Sequence, residues 1–245
     1  MPPQQARPFG VTRRTTMKTG VVAAAGGLLV FRSPVASALG FQDPEEDVYA
    51  ELLTRWAGIL VGGEVSDDNE DYAKAVAAQD KIAKTRLDTI ITDPGANTPW
   101  EDLPLGQDEE DASTMTSVAN RLREIAVPYA TPASELYGDA SAAEAVAAGA
   151  KILVDSVYHE GQDQYANWWD WEIGTPRSLL DACVLIGDAL DGETLTNVVA
   201  AVDHFIPDPT RMIDGALIST GANRVDLCKS TALRGALGGA ADKLT

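Results

Sequence analysis

Apolar residues recur every three or four positions along most of this chain from residue 48 onward, which is the spacing of helices with one buried face. The spacing predicts seven helices, over residues 48–60, 72–91, 115–125, 141–157, 175–190, 195–205 and 223–237. A strand would instead show a sustained alternation of apolar and polar residues between tight turns, and the sequence has no such segment. The chain is therefore predicted to be all-α, with antiparallel helices joined by short and medium-length loops.

Several residues predict where these helices begin and end. Pro128 is expected to stop the third helix, because proline has no amide hydrogen to donate. Ser141 followed by Glu144 suits a capping box at the start of the fourth helix. Thr175 is the expected N-cap of the fifth helix, with Pro176 at its first position.

Length and composition limit the possible functions. With 245 residues, the chain is long enough for one domain or slightly more. Its 37 acidic and 19 basic residues give a net charge of −18, which argues against a nucleic-acid partner because little basic surface remains to neutralise phosphates. Two Cys and two His are too few for a disulfide scaffold or a Cys/His zinc site, and no metal or cofactor is expected.

The first 38 residues differ in charge from the rest of the chain. They contain five basic residues and no acidic one, including the pair Arg13 and Arg14. An apolar stretch over residues 19–30 is too short to span a bilayer, and Ala36-Ser37-Ala38 then offers the small residues at which a signal peptidase cuts. This order resembles a twin-arginine signal.

The resemblance predicts a signal peptide over residues 1–38, cleavage after Ala38, a bacterial source and a secreted, extracellular chain. The alternative is an N-terminal membrane anchor that is not cleaved. Cys183 and Cys228 lie in apolar helical patterns and would first meet a reducing cytoplasm, because twin-arginine substrates cross the membrane already folded. They are predicted to be buried free thiols, with a disulfide formed after export as the alternative.

One segment does not fit a generic helical bundle: NWWDWEIGTPR, residues 167–177. Three of the five tryptophans lie within four residues and alternate with carboxylates, just before a predicted helix start. Exposed indoles suit stacking on the apolar face of a sugar ring, while Asn167 and the neighbouring acids could hydrogen-bond its hydroxyls. The alternative is core packing, in which Trp168 and Trp171 share one helix face.

This segment and a second one, TGANRVD at residues 220–226, resemble in sequence and order the motifs of the family 8 polysaccharide lyases. That family includes hyaluronate, chondroitin AC and xanthan lyases. The resemblance implies an incomplete double-layered α/α toroid with a long cleft. Residues 39–245 would form part of that toroid, without the β-sandwich domains that follow it in complete enzymes.

The resemblance also implies β-elimination at a uronic acid. Asn223 matches the family residue that hydrogen-bonds the uronate carboxylate, which spreads its charge and lowers the pKa of the C5 proton. Trp168 and Trp169 match the aromatic patch that positions the sugar chain. Asn167 and Arg224 lie beside these residues and are further candidates for substrate binding.

Two details of the second motif leave alternatives open. The third aromatic position of the family patch falls near Leu217, so this part of the pattern is altered here. Asn223 also suits the N-cap of the last predicted helix, and both roles can coexist.

The proton-transfer residues of the family have no match in this sequence. In these enzymes a Tyr and a His, aided by an Arg, follow the Asn motif, whereas residues 224–245 contain neither Tyr nor His. His159 and His204 both precede the motif, and His204 is expected at a helix end or in the core. The chain is therefore predicted to be the N-terminal part of a secreted lyase with little or no turnover by itself. The alternatives are a non-catalytic carbohydrate-binding domain and a secreted interaction protein whose tryptophans are buried.

The expected partner is an acidic polysaccharide, bound by a monomer that does not contact the membrane after signal cleavage. Residues 39–245 hold 14 bases and 37 acids, so their charge opposes an anionic substrate at long range. A local basic lining of the cleft could come from four residues in or after the two motifs: Arg177, Arg224, Lys229 and Arg234.

Overall fold

The computed structural model describes residues 45–63, 69–106 and 111–244. Its helices are α1 (Glu45–Leu60), α2 (Glu70–Leu87), α3 (Ser113–Ala130), α4 (Ala140–Ser156), α5 (Thr175–Ile186), α6 (Gly192–Phe205) and α7 (Gly221–Gly238). Two strands, β1 (Arg211–Met212) and β2 (Leu217–Ile218), have two residues each. The prediction of an all-α fold is confirmed for the described part of the chain.

Helix α5 lies at the centre of the molecule. Every one of its residues except Arg177 is buried. It packs mainly against α3 and also contacts α1, α4 and α7, while α3 in turn packs against α2 and α4. A helix that is apolar and covered on nearly all sides belongs to the interior of a domain. The other helices are therefore arranged around α5.

A buried carboxylate, that of Asp181, links α5 to three of its neighbours. Its Oδ1 accepts a hydrogen bond from Trp56 Nε1 of α1 at 2.9 Å and lies 2.8 Å from Lys229 Nζ of α7. Its Oδ2 accepts from Arg123 Nε of α3 at 3.0 Å. Burial lowers the pKa of the Lys229 ammonium, although the charge of Asp181 acts in the opposite direction. Because both carboxylate oxygens have donors, the charge is tolerated inside the helical core.

A short antiparallel hairpin precedes α7. Arg211 pairs with Ile218 and Met212 pairs with Leu217. The sequence does not predict strands here, because two residues per strand are too few to produce a recognisable alternation. A hairpin this short depends on contacts with the rest of the protein, and Met212 packs against the helical core.

Two helices end earlier than their apolar spacing predicts. The predicted second helix reached residue 91, but α2 ends at Leu87, and the following segment folds back so that Trp100 Nε1 donates to the Arg86 carbonyl at 3.3 Å. The predicted fifth helix reached residue 190, but α5 ends at Ile186. The next residue, Gly187, has a φ of +50° and leads into a 3₁₀ turn. In both cases an apolar residue beyond the helix end, Ile90 or Leu190, packs against the core from an irregular segment.

Two predictions about helix ends were wrong. Helix α3 continues through Pro128, because a proline in the last turn removes only its own amide donor, and Thr131 then supplies donors to the Val127 and Pro128 carbonyls. The N-cap of α4 is Asp139, two residues before the predicted Ser141. Its carboxylate accepts from the Ser141 hydroxyl at 2.7 Å and from the Ser141 amide at 2.9 Å, and these hydrogen bonds lower the pKa of Asp139.

The two cysteines are free but differ in burial. Cys183 is buried in α5, where burial raises the pKa of its thiol to about 12 and disfavours the reactive thiolate. Cys228 is exposed on α7, so the prediction that both thiols are buried is wrong for Cys228. Its neighbours Leu227 and Ser230 face the interior, and the turn of the helix places Cys228 on the opposite side.

The predicted signal peptide, residues 1–38, and its cleavage site lie outside the described residues. Within the described ranges, no helix combines the length and the apolar character that crossing a bilayer requires. The same ranges contain no cluster of three or more His, Cys, Asp or Glu side chains that could hold a metal ion.

The contact between α3 and α4 gives a test of this packing. Gly149 of α4 is buried, and a methyl group at its Cα would lie 2.5 Å from Leu122 Cδ2 of α3. We expect Gly149→Ala to lower the free energy of unfolding by about 1–3 kcal/mol, despite the better helix propensity of alanine. Leu122→Ala should cost about 2–5 kcal/mol. In the double variant the new methyl group fills part of the cavity, so its cost should be less than the sum.

Urea denaturation followed by circular dichroism measures all three variants. Gly58→Ala in α1 is the matched control, because a methyl group there would meet no other residue within 4 Å. This control should be neutral or stabilising by up to about 1 kcal/mol. Equal effects of the two glycine substitutions would contradict the described contact between α3 and α4.

Candidate functional site

The helical segment that leads into α5 begins within the first motif, directly after Asn167. Trp168 and Trp169 already have helical conformation, and Asn167 Oδ1 accepts a hydrogen bond from the Trp169 amide at 3.2 Å. Asp170–Gly174 then forms a π-helical turn, closed by a bond from the Thr175 amide to the Asp170 carbonyl. Thr175 is therefore not the N-cap that the sequence predicted, since the chain is already helical when it reaches α5.

The three tryptophans of the first motif differ in burial. Trp171 is completely buried, and its Nε1 donates to the Tyr165 carbonyl at 2.8 Å. The Trp171 carbonyl accepts from the Tyr158 hydroxyl at 3.0 Å, and burial raises the pKa of that hydroxyl well above its usual value. Trp168 and Trp169 are only half-buried. Core packing thus accounts fully for Trp171, whereas Trp168 and Trp169 pack against the core with part of their surface and leave the rest exposed.

The Trp169 ring is fixed by two residues of its own motif. Gly174 lies so close that a methyl group at its Cα would be 2.5 Å from Trp169 Cζ3. The Arg177 guanidinium lies over the ring, 5.7 Å from its centroid. A cation over an indole is attracted by the negative face of the ring, and this contact restricts the orientation of Trp169.

The two acids of the first motif are structural. Asp170 is buried and accepts hydrogen bonds from Thr116 Oγ1 at 2.7 Å and from Asn167 Nδ2 at 2.9 Å. Glu172 is also buried and binds the backbone of the hairpin between β1 and β2. The expectation that these carboxylates are free to bind sugar hydroxyls is therefore wrong, because both face the interior. Asn167 remains exposed, although its amide nitrogen is bound to Asp170.

The second motif lies at the start of α7. The helix begins at Gly221, and its N-cap is Thr220, whose side chain makes no capping hydrogen bond. Asn223 is therefore in the first turn and not at the N-cap, which corrects the alternative role considered for it. Its side chain is half-buried, and its Nδ2 donates weakly to Met212 Sδ of β1 at 3.7 Å.

Arg224 binds the base of the hairpin. Its Nε donates to Ser219 Oγ, and its Nη2 donates to the Thr210 carbonyl at 3.2 Å. Leu217, where the third aromatic position of the motif falls, lies on β2 with half of its surface exposed. The hairpin and the first turn of α7 therefore form one hydrogen-bonded unit.

Arg177 connects the two motifs, which are far apart in the sequence. Besides contacting Trp169, its Nη1 lies 3.8 Å from Asp226 Oδ2 of α7. Asp226 is one helical turn after Asn223 and shares its side of the helix. Arg177 thus links the half-exposed Trp169 indole to α7, one helical turn beyond Asn223.

The predicted basic lining is largely used inside the protein. Lys229 is paired with Asp181, and its side chain is only 16% exposed. Arg234 is paired with Asp203, its side chain is 3% exposed, and burial lowers the pKa of its guanidinium. The Arg177 side chain is 40% exposed, and its acidic partner Asp226 lies at the longer distance of 3.8 Å.

The two histidines lie apart from the hydrogen bonds that join the motifs. His159 is half-buried, and its Nδ1 accepts from the Gly161 amide at 3.2 Å. His204 is exposed in the last turn of α6, where its ring contacts Phe205 edge-on with centroids 4.7 Å apart. The predicted position of His204 at a helix end is confirmed.

Sequence reasoning missed several residues that support the site. Thr116 of α3 binds Asp170, Gln164 binds Glu172 at 3.2 Å, and Met212 accepts from Asn223. Each contact joins residues distant in sequence or on irregular backbone, so no local spacing pattern reveals it. The two acids of the first motif were the only sequence signal for such donors. A carboxylate within a tryptophan-rich segment needs hydrogen-bond donors if it is buried.

Comparison with known proteins identifies the family. Residues 56–245 match polysaccharide lyase family 8, N-terminal alpha-helical domain. Hyaluronate lyase HylA of Cutibacterium acnes is 30% identical over 251 residues, covering 97% of this chain and 29% of the relative. The hyaluronate lyase of Thermasporomyces composti is 36% identical over 220 residues, covering 89% of this chain and 26% of the relative.

Solved structures show the same similarity. The chondroitin AC lyase of Streptomyces coelicolor A3, in complex with chondroitin sulphate, has a TM-score of 0.71 at 34% identity and covers 81% of this chain. Paenibacillus xanthan lyase has a TM-score of 0.71 at 27% identity and covers 82%. The matched part is 26% of the first structure and 18% of the second, so this chain spans less than a third of the relatives it matches. The chain belongs to polysaccharide lyase family 8, and it corresponds to the N-terminal α-helical domain of that family.

Proposed function

We propose that this chain supplies the sugar-stacking and carboxylate-binding part of a lyase that cleaves uronic-acid-containing polysaccharide by β-elimination. The substrate class is that of hyaluronate, chondroitin or xanthan. The observation that supports this proposal is the contact of Arg177 with both motifs, at 5.7 Å from the Trp169 ring and 3.8 Å from Asp226. Through Arg177 the half-exposed Trp169 indole is linked to α7, one helical turn beyond Asn223.

The chemistry assigned to each group follows from the uronate. Its C5 proton is weakly acidic, because the adjacent carboxylate is already negative and opposes the charge of a carbanion. The Asn223 carboxamide donates a hydrogen bond to that carboxylate and stabilises the additional charge as it develops. Trp168 and Trp169 stack against neighbouring sugar rings, while Asn167 and Arg224 offer polar contacts beside them. The proton transfers themselves require a base and an acid in addition.

Local charge explains how an acidic protein can bind a polyanion. At moderate salt the Debye length is about 10 Å, so distant surface carboxylates are largely screened. Arg177 lies within that distance of Trp169 and has 40% of its side chain exposed. A uronate near Trp169 would therefore interact with this cation more strongly than with the net charge of the protein.

Substitution of the indoles tests the proposed binding. Trp169→Ala removes the stacking surface, and we expect affinity for a hyaluronate or chondroitin oligosaccharide to fall by about 5–30-fold, equivalent to about 1–2 kcal/mol. Trp168→Ala should also weaken binding. Isothermal titration calorimetry with hyaluronate, chondroitin and xanthan oligosaccharides measures the affinities.

The matched control is Tyr137→Ala. Tyr137 is an exposed aromatic residue in the α3–α4 connection, away from both motifs, and its loss should leave affinity unchanged. No binding of any of these oligosaccharides by the unsubstituted chain would contradict the proposed function. Equal losses in the Trp169 and Tyr137 variants would contradict the assigned site.

A second candidate function, proposed for the 245-residue chain by itself, is carbohydrate binding without cleavage. The observation in its favour is that residues 224–245 contain neither Tyr nor His, so the proton-transfer groups that follow the Asn motif in the family have no counterpart there. We expect the 245-residue chain by itself to bind oligosaccharide with little or no turnover. The measurement is ultraviolet absorbance of the unsaturated uronate product, and a sustained increase with purified chain would contradict this expectation.

We further propose that residues 1–38 direct export through the twin-arginine pathway and that the remaining chain is extracellular. The paired Arg13 and Arg14, the apolar stretch and the small residues before Gly40 support this. In a bacterium with this pathway, the Arg13→Lys/Arg14→Lys variant should stay in the cell, while Arg7→Lys should be secreted normally. Immunoblotting of the medium measures secretion, and N-terminal sequencing of the secreted chain locates the cleavage site. Secretion of the double variant would exclude this route.

A further inference from the structure

Glu172 combines deep burial with a set of donors that come from outside its own helical turn. Its side chain belongs to the first motif, and only 2% of the residue is exposed. Oε1 accepts from the Asp214 amide at 2.7 Å and from Gln164 Nε2 at 3.2 Å, and Oε2 accepts from the Ile213 amide at 2.9 Å. The carboxylate therefore binds two successive amides of the hairpin turn.

The bound turn has a backbone conformation that needs support. Ile213 and Asp214 have φ values of +58° and +50°, followed by Gly215 at +74°. Positive φ is uncommon for residues other than glycine and is a genuine outlier for a β-branched residue such as isoleucine. Successive amides in turn conformations can point toward one anion, and here that anion is Glu172 of the same chain. The carboxylate thus compensates an otherwise unfavourable turn.

The same hairpin carries the contacts of the second motif. Met212 of β1 accepts from the Asn223 side chain, and Ser219, directly after β2, accepts from Arg224. The Thr210 carbonyl, before β1, is bound to Arg224 as well. The position of the hairpin therefore determines what the Asn223 carboxamide packs against.

We propose that Glu172 is a positioning residue for Asn223 and acts through the hairpin of residues 211–218. Glu172 holds the turn, the turn places Met212, and Met212 orients the carboxamide. This inference deepens the proposed function and rests on it for the role of Asn223 toward a uronate. The first motif then has two tasks, one performed by its indoles at the surface and one by a buried acid behind them.

Glu172→Gln is the sharpest substitution. It keeps the size and shape of the side chain but replaces one acceptor oxygen by an NH₂ group. Since both oxygens face backbone amides, either orientation of the new side chain places a donor against a donor. Glu144→Gln is the matched control, because Glu144 is an exposed residue of α4 and the chemical change is identical.

The first experiment uses nuclear magnetic resonance on the full chain without any oligosaccharide. In Glu172→Gln we expect hydrogen exchange of the Ile213 and Asp214 amides to accelerate by about tenfold or more, and the Asn223 side-chain amide signals to shift. The indole signals of Trp168 and Trp169 should stay in place. The control variant should leave all of these signals unchanged.

The second experiment separates positioning from general destabilisation by a double-mutant cycle on oligosaccharide affinity. Glu172→Gln should weaken binding by about three- to tenfold, and Asn223→Ala by at least as much. If Glu172 acts through Asn223, the double variant binds no more weakly than Asn223→Ala alone. Additive losses would overturn the proposal, since Glu172 would then act independently of Asn223.

A further variant keeps the test decisive if Glu172→Gln does not fold. Met212→Leu removes the sulfur that accepts from Asn223 and leaves Glu172 and the turn intact. It should shift the Asn223 side-chain signals without changing exchange at Ile213 and Asp214. Unchanged Asn223 signals in this variant overturn the proposal. Failure of the unsubstituted chain to bind any oligosaccharide counts against the proposed function alone, because the resonance measurements need no ligand.

Discussion

A buried carboxylate must have hydrogen-bond donors for its oxygens, and three such carboxylates organise this protein. Asp170, Glu172 and Asp181 lie along the π-helical turn and α5, at the centre of the fold. Each of their oxygens accepts at least one hydrogen bond or lies next to a cation. Their donors come from α1, α3, α7, the hairpin and the irregular segment before the π-helical turn. Removing an acceptor from any of these sites would leave buried donors unsatisfied, so the arrangement of several elements depends on this one segment.

The tryptophan-rich segment contributes both to the core and to the surface. Trp171, inside the π-helical turn, is completely buried, while Trp168 and Trp169, directly before the turn, keep exposed surface. Single π-helical turns are rare and are frequently found at functional sites. In this chain the residues in and directly before the turn belong to the core and to the candidate binding surface, respectively. Gly174 permits the close approach of the Trp169 ring that this arrangement requires.

The prediction of the fold from sequence succeeded where one periodic pattern covers a whole helix, and it failed at the ends. Pro128 was expected to stop α3, yet only one amide donor is lost in a last turn, and Thr131 satisfies nearby carbonyls. The prediction of the candidate site failed in a similar way, because it also depends on contacts between distant residues. The acids of the first motif looked available for sugar hydroxyls, because the sequence does not show that Thr116 or the hairpin amides occupy them.

The amino-acid sequence by itself determined the helical class, through apolar spacing, and the family, through two motifs whose residue types and order are specific. These properties are local and can be read along the chain. Only the tertiary structure decided which indoles reach the surface, that Arg177 joins the motifs, and that Glu172 binds the hairpin beside Asn223. The physical reason is that hydrogen bonds and burial depend on residues brought together from distant parts of the chain.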